Sequence, residues 1–259
     1  MTELENFALE LARLAASVSL PYFRTDMREI NKAEPGQFDP VTEADRAAER
    51  ALREVIKARY PDHGIIGEEY GEENPDADNV WILDPIDGTR AFISGLPLWT
   101  NLISLRQNGV PSIGVVGQPY TGEIFIGGPS GACLFSRDGE RSIATRACAE
   151  LSNAVAATTD ADIFQGADRE SWERLKTSVR LARYGCDAYA YAMVAMGRID
   201  IVCESELKVW DWSALMPLVQ AAGGAFTNWQ GGLPDAGDGR VLAVGDAALT
   251  EQALKLLKH

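Results

Sequence analysis

The segment Leu83-Asp84-Pro85-Ile86-Asp87-Gly88-Thr89 closes the short apolar run VWILD (80–84) with two acids three residues apart. The run has the length and the β-branched and aromatic make-up of a buried strand, so Asp84 stands at a strand end. Pro85 stiffens the link to Asp87, and Gly88 lets the backbone come close to a ligand. Gly88 and Thr89 lead into a helix, whose first N–H groups suit a phosphate. An acid-rich turn before a capped helix would look the same, so the neighbouring motifs must decide between a site and a turn.

Upstream, GEEYGEE (67–73) follows the apolar IIG and puts Glu68 at a second strand end, whereas Glu69, Glu72 and Glu73 read as a solvated acidic loop. Downstream, Trp210-Asp211 precedes a helix, where Asp211 either caps the helix or joins the acids. Leu4, Phe7, Ala8, Leu11, Leu14 and Val18 recur at helical spacing and predict a helix ending near Pro21. A polar stretch from Asn31 to Pro40 follows. A second helix is predicted over 43–59, with Ala47, Ala51, Val55 and Ile56 as its buried stripe and Thr42 and Asp45 as a capping pair. From Asn101 to Arg137 the pattern is a Gly- and Pro-punctuated β meander. After Ser142, strands and helices alternate, and Pro217 should kink the helix of 211–224. The whole predicts a layered α/β fold in two lobes, residues 1–141 and 142–259.

Composition removes several alternatives. The chain has 259 residues and a net charge of −14. That charge disfavours nucleic acid, whose backbone needs a basic surface. Divalent cations, however, turn a carboxylate cluster into an anion site. No apolar run approaches the roughly 20 residues of a membrane helix, and the N-terminus lacks the layout of a signal peptide. Cys133, Cys148, Cys186 and Cys203 form no CxxC pair, which suits a reducing cytoplasm and not a structural zinc site. There are only two histidines, His259 at the C-terminus and His63 in a turn-like PDHG expected at the surface. Chemistry built on a Ser-His-Asp triad or HExxH is therefore excluded. The DxD spacing of haloacid-dehalogenase-type phosphatases is also absent, since Pro85 lies two before Asp87 and Ile86 two after Asp84.

GEE (67–69), DPIDGT (84–89) and WD (210–211), supported by DPVTEAD (39–45), resemble the inositol monophosphatase superfamily in identity and order. The resemblance implies a layered αβαβα sandwich, a homodimer, and hydrolysis of a small phosphate ester with two to three Mg²⁺ ions. It implies Glu68, Asp84 and the Ile86 carbonyl at the first ion, and Asp84, Asp87 and Asp211 at the second. Glu68, with Asp45 nearby, would help to hold a weaker third ion. Gly88 and Thr89 would bind phosphate, and Thr89, linked to Asp45, would activate water together with Glu68. Lys32 resembles a loop lysine of the family.

Within that superfamily, DPIDGTRAFISGLPLW (84–99), YGCDAYAYAM (184–193) and ESELKVWD (204–211) resemble the histidinol-phosphate phosphatase branch. Trp99-Thr100 and Trp210 depart from its usual pattern. An ammonium- and imidazole-bearing substrate calls for carboxylates, and Asp187 and Glu204 are the candidates, with Arg90 as a further contact. Asp187 as an N-cap, and inositol phosphate or another sugar phosphate as substrate, stay open, as does a metal-binding regulatory relative without turnover.

Overall fold

A computed structural model describes residues 1–26, 29–31, 40–235 and 237–258. Lys32 and His259 fall outside the described residues. The chain begins with α1 (Glu3–Ser19), then a hairpin of β1 (Glu29–Asn31) and β2 (Pro40–Thr42), and α2 (Glu43–Arg59). Next come β3 (Gly64–Gly67), β4 (Gly71–Glu73), β5 (Asn79–Asp87) and the short α3 (Thr89–Ile93). The meander is β6 (Thr100–Gln107), β7 (Val110–Gln118), β8 (Glu123–Gly128), β9 (Gly131–Ser136) and β10 (Gly139–Ser142). The remainder alternates as β11 (Val155–Thr158), α4 (Ala167–Ser178), β12 (Leu181–Tyr184), α5 (Tyr189–Ala195), β13 (Ile201–Glu204), α6 (Val209–Trp212), α7 (Leu215–Ala221), β14 (Ala225–Thr227), β15 (Val241–Val244) and α8 (Ala247–Leu257).

Two sheets carry the architecture. The larger runs β10-β9-β8-β7-β6-β5-β3-β4 and the smaller β12-β11-β13-β15-β14. In the larger sheet β3 and β5 are parallel, so both strands deliver their C-terminal ends, Gly67 and Asp87, to one edge of the molecule. Helices α1 and α2 cover one face of that sheet, α5 and α7 fill the space between the sheets, and α4 and α8 cover the far side of the smaller sheet. This is the layered mixed α/β arrangement expected, with apolar clusters between successive layers.

Several local expectations need correction. Helix α2 keeps its predicted limits and its capping box, with Thr42 N–H donating to Asp45 Oδ2 at 2.9 Å. Its buried face, however, is Ala44, Asp45, Ala48, Glu49, Leu52, Arg53 and Ile56, while Val55 is 38% exposed. The apolar count misphased the stripe because the inner face carries a buried ion pair, Glu49 with Arg53 at 2.8 Å. His63 is only half exposed: it stacks on Tyr60 and accepts the Trp81 indole N–H at 3.1 Å. The helix of 211–224 is two helices rather than one kinked helix. Pro217 sits in the first turn of α7, where it has no N–H to offer the Ser213 carbonyl, and Ser104 Oγ donates to that carbonyl at 2.9 Å instead.

Helix α7 lies very close to the larger sheet. A Cβ on Gly114 would fall 1.9 Å from the Ala214 carbonyl oxygen, and one on Gly127 would fall 2.3 Å from Leu218 Cα. Both obstacles are backbone, so no side-chain rotation relieves them. Gly127→Val should therefore lower stability by about 3 kcal/mol, whereas the exposed Val110→Ala should change it by less than about 0.5 kcal/mol, read from urea midpoints.

Candidate active site

An acid at i and another at i+3 of a regular strand point to opposite faces. Here they do not. Strand β5 pairs with β6 as Asp84↔Leu102 and Asp87↔Thr100, three steps against two, so one extra residue bulges out between the acids. The bulge re-aims Asp87, and Asp84, Ile86 and Asp87 all line one cavity of about 290 Å³. The same wall holds Glu68, Gly88, Thr89, Arg90, Asp187, Glu204 and Asp211, so this cavity gathers the acids of three separated motifs.

Each wall element has its own restraint. Glu68 follows the end of β3, and its N–H donates to the Leu83 carbonyl at 3.2 Å, which ties it beside Asp84. Glu49 supports that turn from α2, accepting from Glu69 N–H at 2.8 Å and Tyr70 N–H at 3.2 Å. A Cβ on Gly67 would fall 2.0 Å from Glu49 Oε1, so the turn rests directly on this carboxylate. The Glu69 side chain is only 2% exposed and lies 3.8 Å from Arg46, which corrects its assignment to a solvated loop. Asp211, in α6, accepts from the Lys208 N–H at 2.6 Å while facing the cavity, so it caps the helix and joins the acids at once.

The second sheet supplies the other wall. Asp187 is not an N-cap: α5 starts at Tyr189 and its N-cap, Ala188, has no side-chain cap bond. Asp187 instead holds φ 43°, a left-handed conformation uncommon outside glycine, and the next residue's N–H donates to Asp87 Oδ2 at 2.8 Å. Gly88 has φ 78°, and a Cβ on it would come 3.2 Å from Asp187 Cγ. The positive φ thus favours glycine, and its missing Cβ leaves the Asp187 side chain room to pack closely. Glu204 is buried at the end of β13, accepting from Thr159 N–H at 2.7 Å, Thr159 Oγ at 3.0 Å and Thr158 Oγ at 3.1 Å. Thr158 and Thr159 were not singled out in the sequence, where AVAATT reads only as a strand.

Two expected contacts take another form. Thr89 Oγ donates to the Ile86 carbonyl at 3.0 Å. Asp45 is buried outside the cavity lining, and its Oδ2 accepts from Thr42 Oγ at 2.5 Å.

The electrostatics are unfavourable for bare carboxylates. Burial pushes the Asp84 carboxyl up well above the usual range, with Glu68, Asp87 and Asp211 adding to it. Asp87 rises for the same first reason, burial, then through Asp187. Burial raises Asp187 to about 6 against the attraction of Arg90, and raises Asp45 to about 6 with help from Glu69. Burial lifts Glu204 to about 8 despite its three donors. Asp84 Oδ1 is buried without a hydrogen-bond partner. A buried, unpaired oxygen among like charges fits a hard divalent cation. Among the described residues no three His, Cys, Asp or Glu side chains already close as an ion cage.

The inositol monophosphatase family model matches residues 1–259. The bifunctional phosphatase IMPL2 (chloroplastic) of Arabidopsis thaliana is 39% identical over 99% of this chain and 76% of that protein. A histidinol-phosphatase of Chlorobaculum parvum is 34% identical over 89% of this chain and 88% of that one. Among solved structures, an inositol monophosphatase from Zymomonas mobilis superposes with a TM-score of 0.87 at 35% identity, covering 99% of both chains.

The raised Glu204 pKa has a stability consequence with a definite sign. Its stabilisation of the metal-free fold is full below the unfolded value near 4.5 and is lost as pH rises through about 8. Glu204→Gln should therefore shrink the fall in Tm between pH 5 and pH 9 in EDTA, by roughly 5 °C or more in calorimetry.

Proposed function

The chain belongs to the inositol monophosphatase family, and from that premise we propose that it hydrolyses L-histidinol phosphate to L-histidinol and phosphate with Mg²⁺. The membership itself indicates a phosphoric monoester hydrolase of a generally Mg-dependent family. The observation that carries the reading is the single cavity joining Glu68, Asp84, Asp87 and Asp211 to Asp187 and Glu204.

A phosphate monoester dianion repels water-derived nucleophiles, and its charge spreads over the phosphoryl oxygens in the transition state. Bound Mg²⁺ supplies charge neutralisation, a lower pKa for water and stabilisation of the leaving alkoxide. Glu68, Asp84, Asp87, Asp211 and the Ile86 carbonyl would hold two to three such ions. Gly88 and Thr89 would offer backbone N–H groups to the phosphate. Thr89 Oγ, now on the Ile86 carbonyl, would turn with Glu68 to orient the attacking water. Asp45 acts less directly, through its charge on Asp84 and by fixing the start of α2.

A buried carboxyl, Glu204, and a half-buried one, Asp187 beside Arg90, both with raised pKa values, form the substrate end. A primary ammonium placed between Asp187 and Glu204 would restore both to the charged form, which an inositol ring cannot do. Similarity to the Chlorobaculum histidinol-phosphatase supports this choice, and inositol or a related sugar phosphate is the alternative. The retention of every acid, and of Thr89, supports catalysis over a regulatory relative without turnover. A homodimer in a reducing cytoplasm belongs to the same reading. All four cysteines are free, and no helix among the described residues is long and apolar enough to cross a membrane.

Phosphate release from L-histidinol phosphate and inositol-1-phosphate, side by side with Mg²⁺ and with EDTA, tests the reading. The expected result is Mg²⁺-dependent kcat/KM that is higher on histidinol phosphate; preference for inositol phosphate would discard the substrate, and EDTA-resistant activity the mechanism. Asp84→Asn should nearly abolish turnover at saturating Mg²⁺. Asp187→Ala should raise KM for histidinol phosphate about 10-fold or more, the worth of one charge-assisted hydrogen bond, and change inositol phosphate less.

A further inference from the structure

The bulge that brings Asp84 and Asp87 to one face needs a partner of its own. Its two intervening residues, Pro85 and Ile86, face Asn101, which lies between the paired Thr100 and Leu102 on β6. Asn101 is fully buried. Its Nδ2 donates to the Pro85 carbonyl at 2.5 Å and to Ser19 Oγ, at the end of α1, at 3.3 Å. Ser19 Oγ in turn donates to the Ala15 carbonyl at 2.8 Å, which fixes its lone pairs toward Asn101. Exchanging the amide's oxygen and nitrogen would set oxygen against the Pro85 carbonyl, so the orientation is determined.

The arrangement has a cost. Asn101 Oδ1 is buried with no hydrogen-bond partner, an expense that an apolar side chain would avoid. Such a group calls for a compensating role, and the Pro85 carbonyl indicates it. Pro85 has no N–H, so of its own two backbone polar groups only the carbonyl, in the Pro85–Ile86 peptide, can take a hydrogen bond, and Asn101 takes it. Holding that peptide sets the path of the next one, and with it the Ile86 carbonyl and the Asp87 side chain.

We propose that Asn101 is a positioning residue for the cation site: its amide clamps the Pro85 carbonyl so that Asp84, the Ile86 carbonyl and Asp87 face one point. This rests on the metal-dependent reading above. The test is Mn²⁺ binding followed by electron paramagnetic resonance on the full chain, with thermal unfolding of the metal-free protein alongside. Asn101→Leu should weaken Mn²⁺ binding about 10-fold or more, as loss of a ligand's supporting hydrogen bond does. Ser19→Ala, which frees one side of the amide, should weaken it less. Ser171→Ala, at a buried serine bonded to the Leu257 carbonyl under the far sheet, should lower Tm while leaving Mn²⁺ affinity unchanged. Wild-type affinity in Asn101→Leu, with only Tm reduced, would overturn the inference. If that variant fails to fold, unchanged affinity in Ser19→Ala overturns it equally. Absence of Mn²⁺ binding by the wild-type chain would instead remove the metal reading on which the inference stands.

Discussion

The gathering of carboxyls in a cavity that withdraws them from water is the constraint around which this molecule is arranged. Asp84 is taken from water and Asp87 and Asp187 partly so, in one cavity with Glu68 and Asp211, and each has its pKa raised first by burial. Two unit charges about 4 Å apart at an effective dielectric of about 20 repel by about 4 kcal/mol, comparable with the whole stability of a domain. A fold that keeps such a cluster must hold each acid from behind, because the acids cannot hold one another.

The supports come from different directions in the chain. The parallel pairing of β3 and β5 brings Glu68 beside Asp84. The bulge in β5 turns Asp87 to the same side. Glu49 and Arg53 of α2 carry the turn that contains Glu68 and Glu69, a buried ion pair used as a prop. From the other sheet, the Ala188 N–H reaches Asp87, and Thr158 and Thr159 fix Glu204. The close seat of α7 on β7 and β8, allowed by Gly114 and Gly127, keeps the two sheets at the spacing these contacts need. Rigidity in the middle layer thus becomes geometry at the cavity.

Much of this was legible in the sequence where the signal is local. VWILD, the capping pair Thr42 and Asp45, and the Gly-punctuated meander depend on neighbours in the chain, and the limits of α2 follow from them. What escaped depends on partners far away. Glu49 and Arg53 look like surface residues until the GEE turn 20 residues on is placed over them, and that hidden pair shifted the apparent stripe of α2. Glu69 was read as solvated for the same reason. Asp187 reads as a helix cap in the sequence because its left-handed backbone and its place against Gly88, about 100 residues earlier, have no local signature. The hydrogen bond from Ser104 Oγ to the Ser213 carbonyl, which Pro217 leaves without its helical donor, likewise has no local signature.

The most direct test of this account is the Tm of the protein from pH 5 to pH 9, in EDTA and in Mg²⁺. Acids whose folded pKa is raised, as those of Asp84 and Asp87 are, stabilise the fold while protonated, and that stabilisation is lost as pH rises toward their raised values. Mg²⁺ favours the charged forms, so the account predicts a Mg²⁺-induced rise in Tm that is small near pH 5 and grows steadily toward pH 9. A Tm that does not respond to Mg²⁺ at any pH, or a rise of the same size throughout, would contradict it.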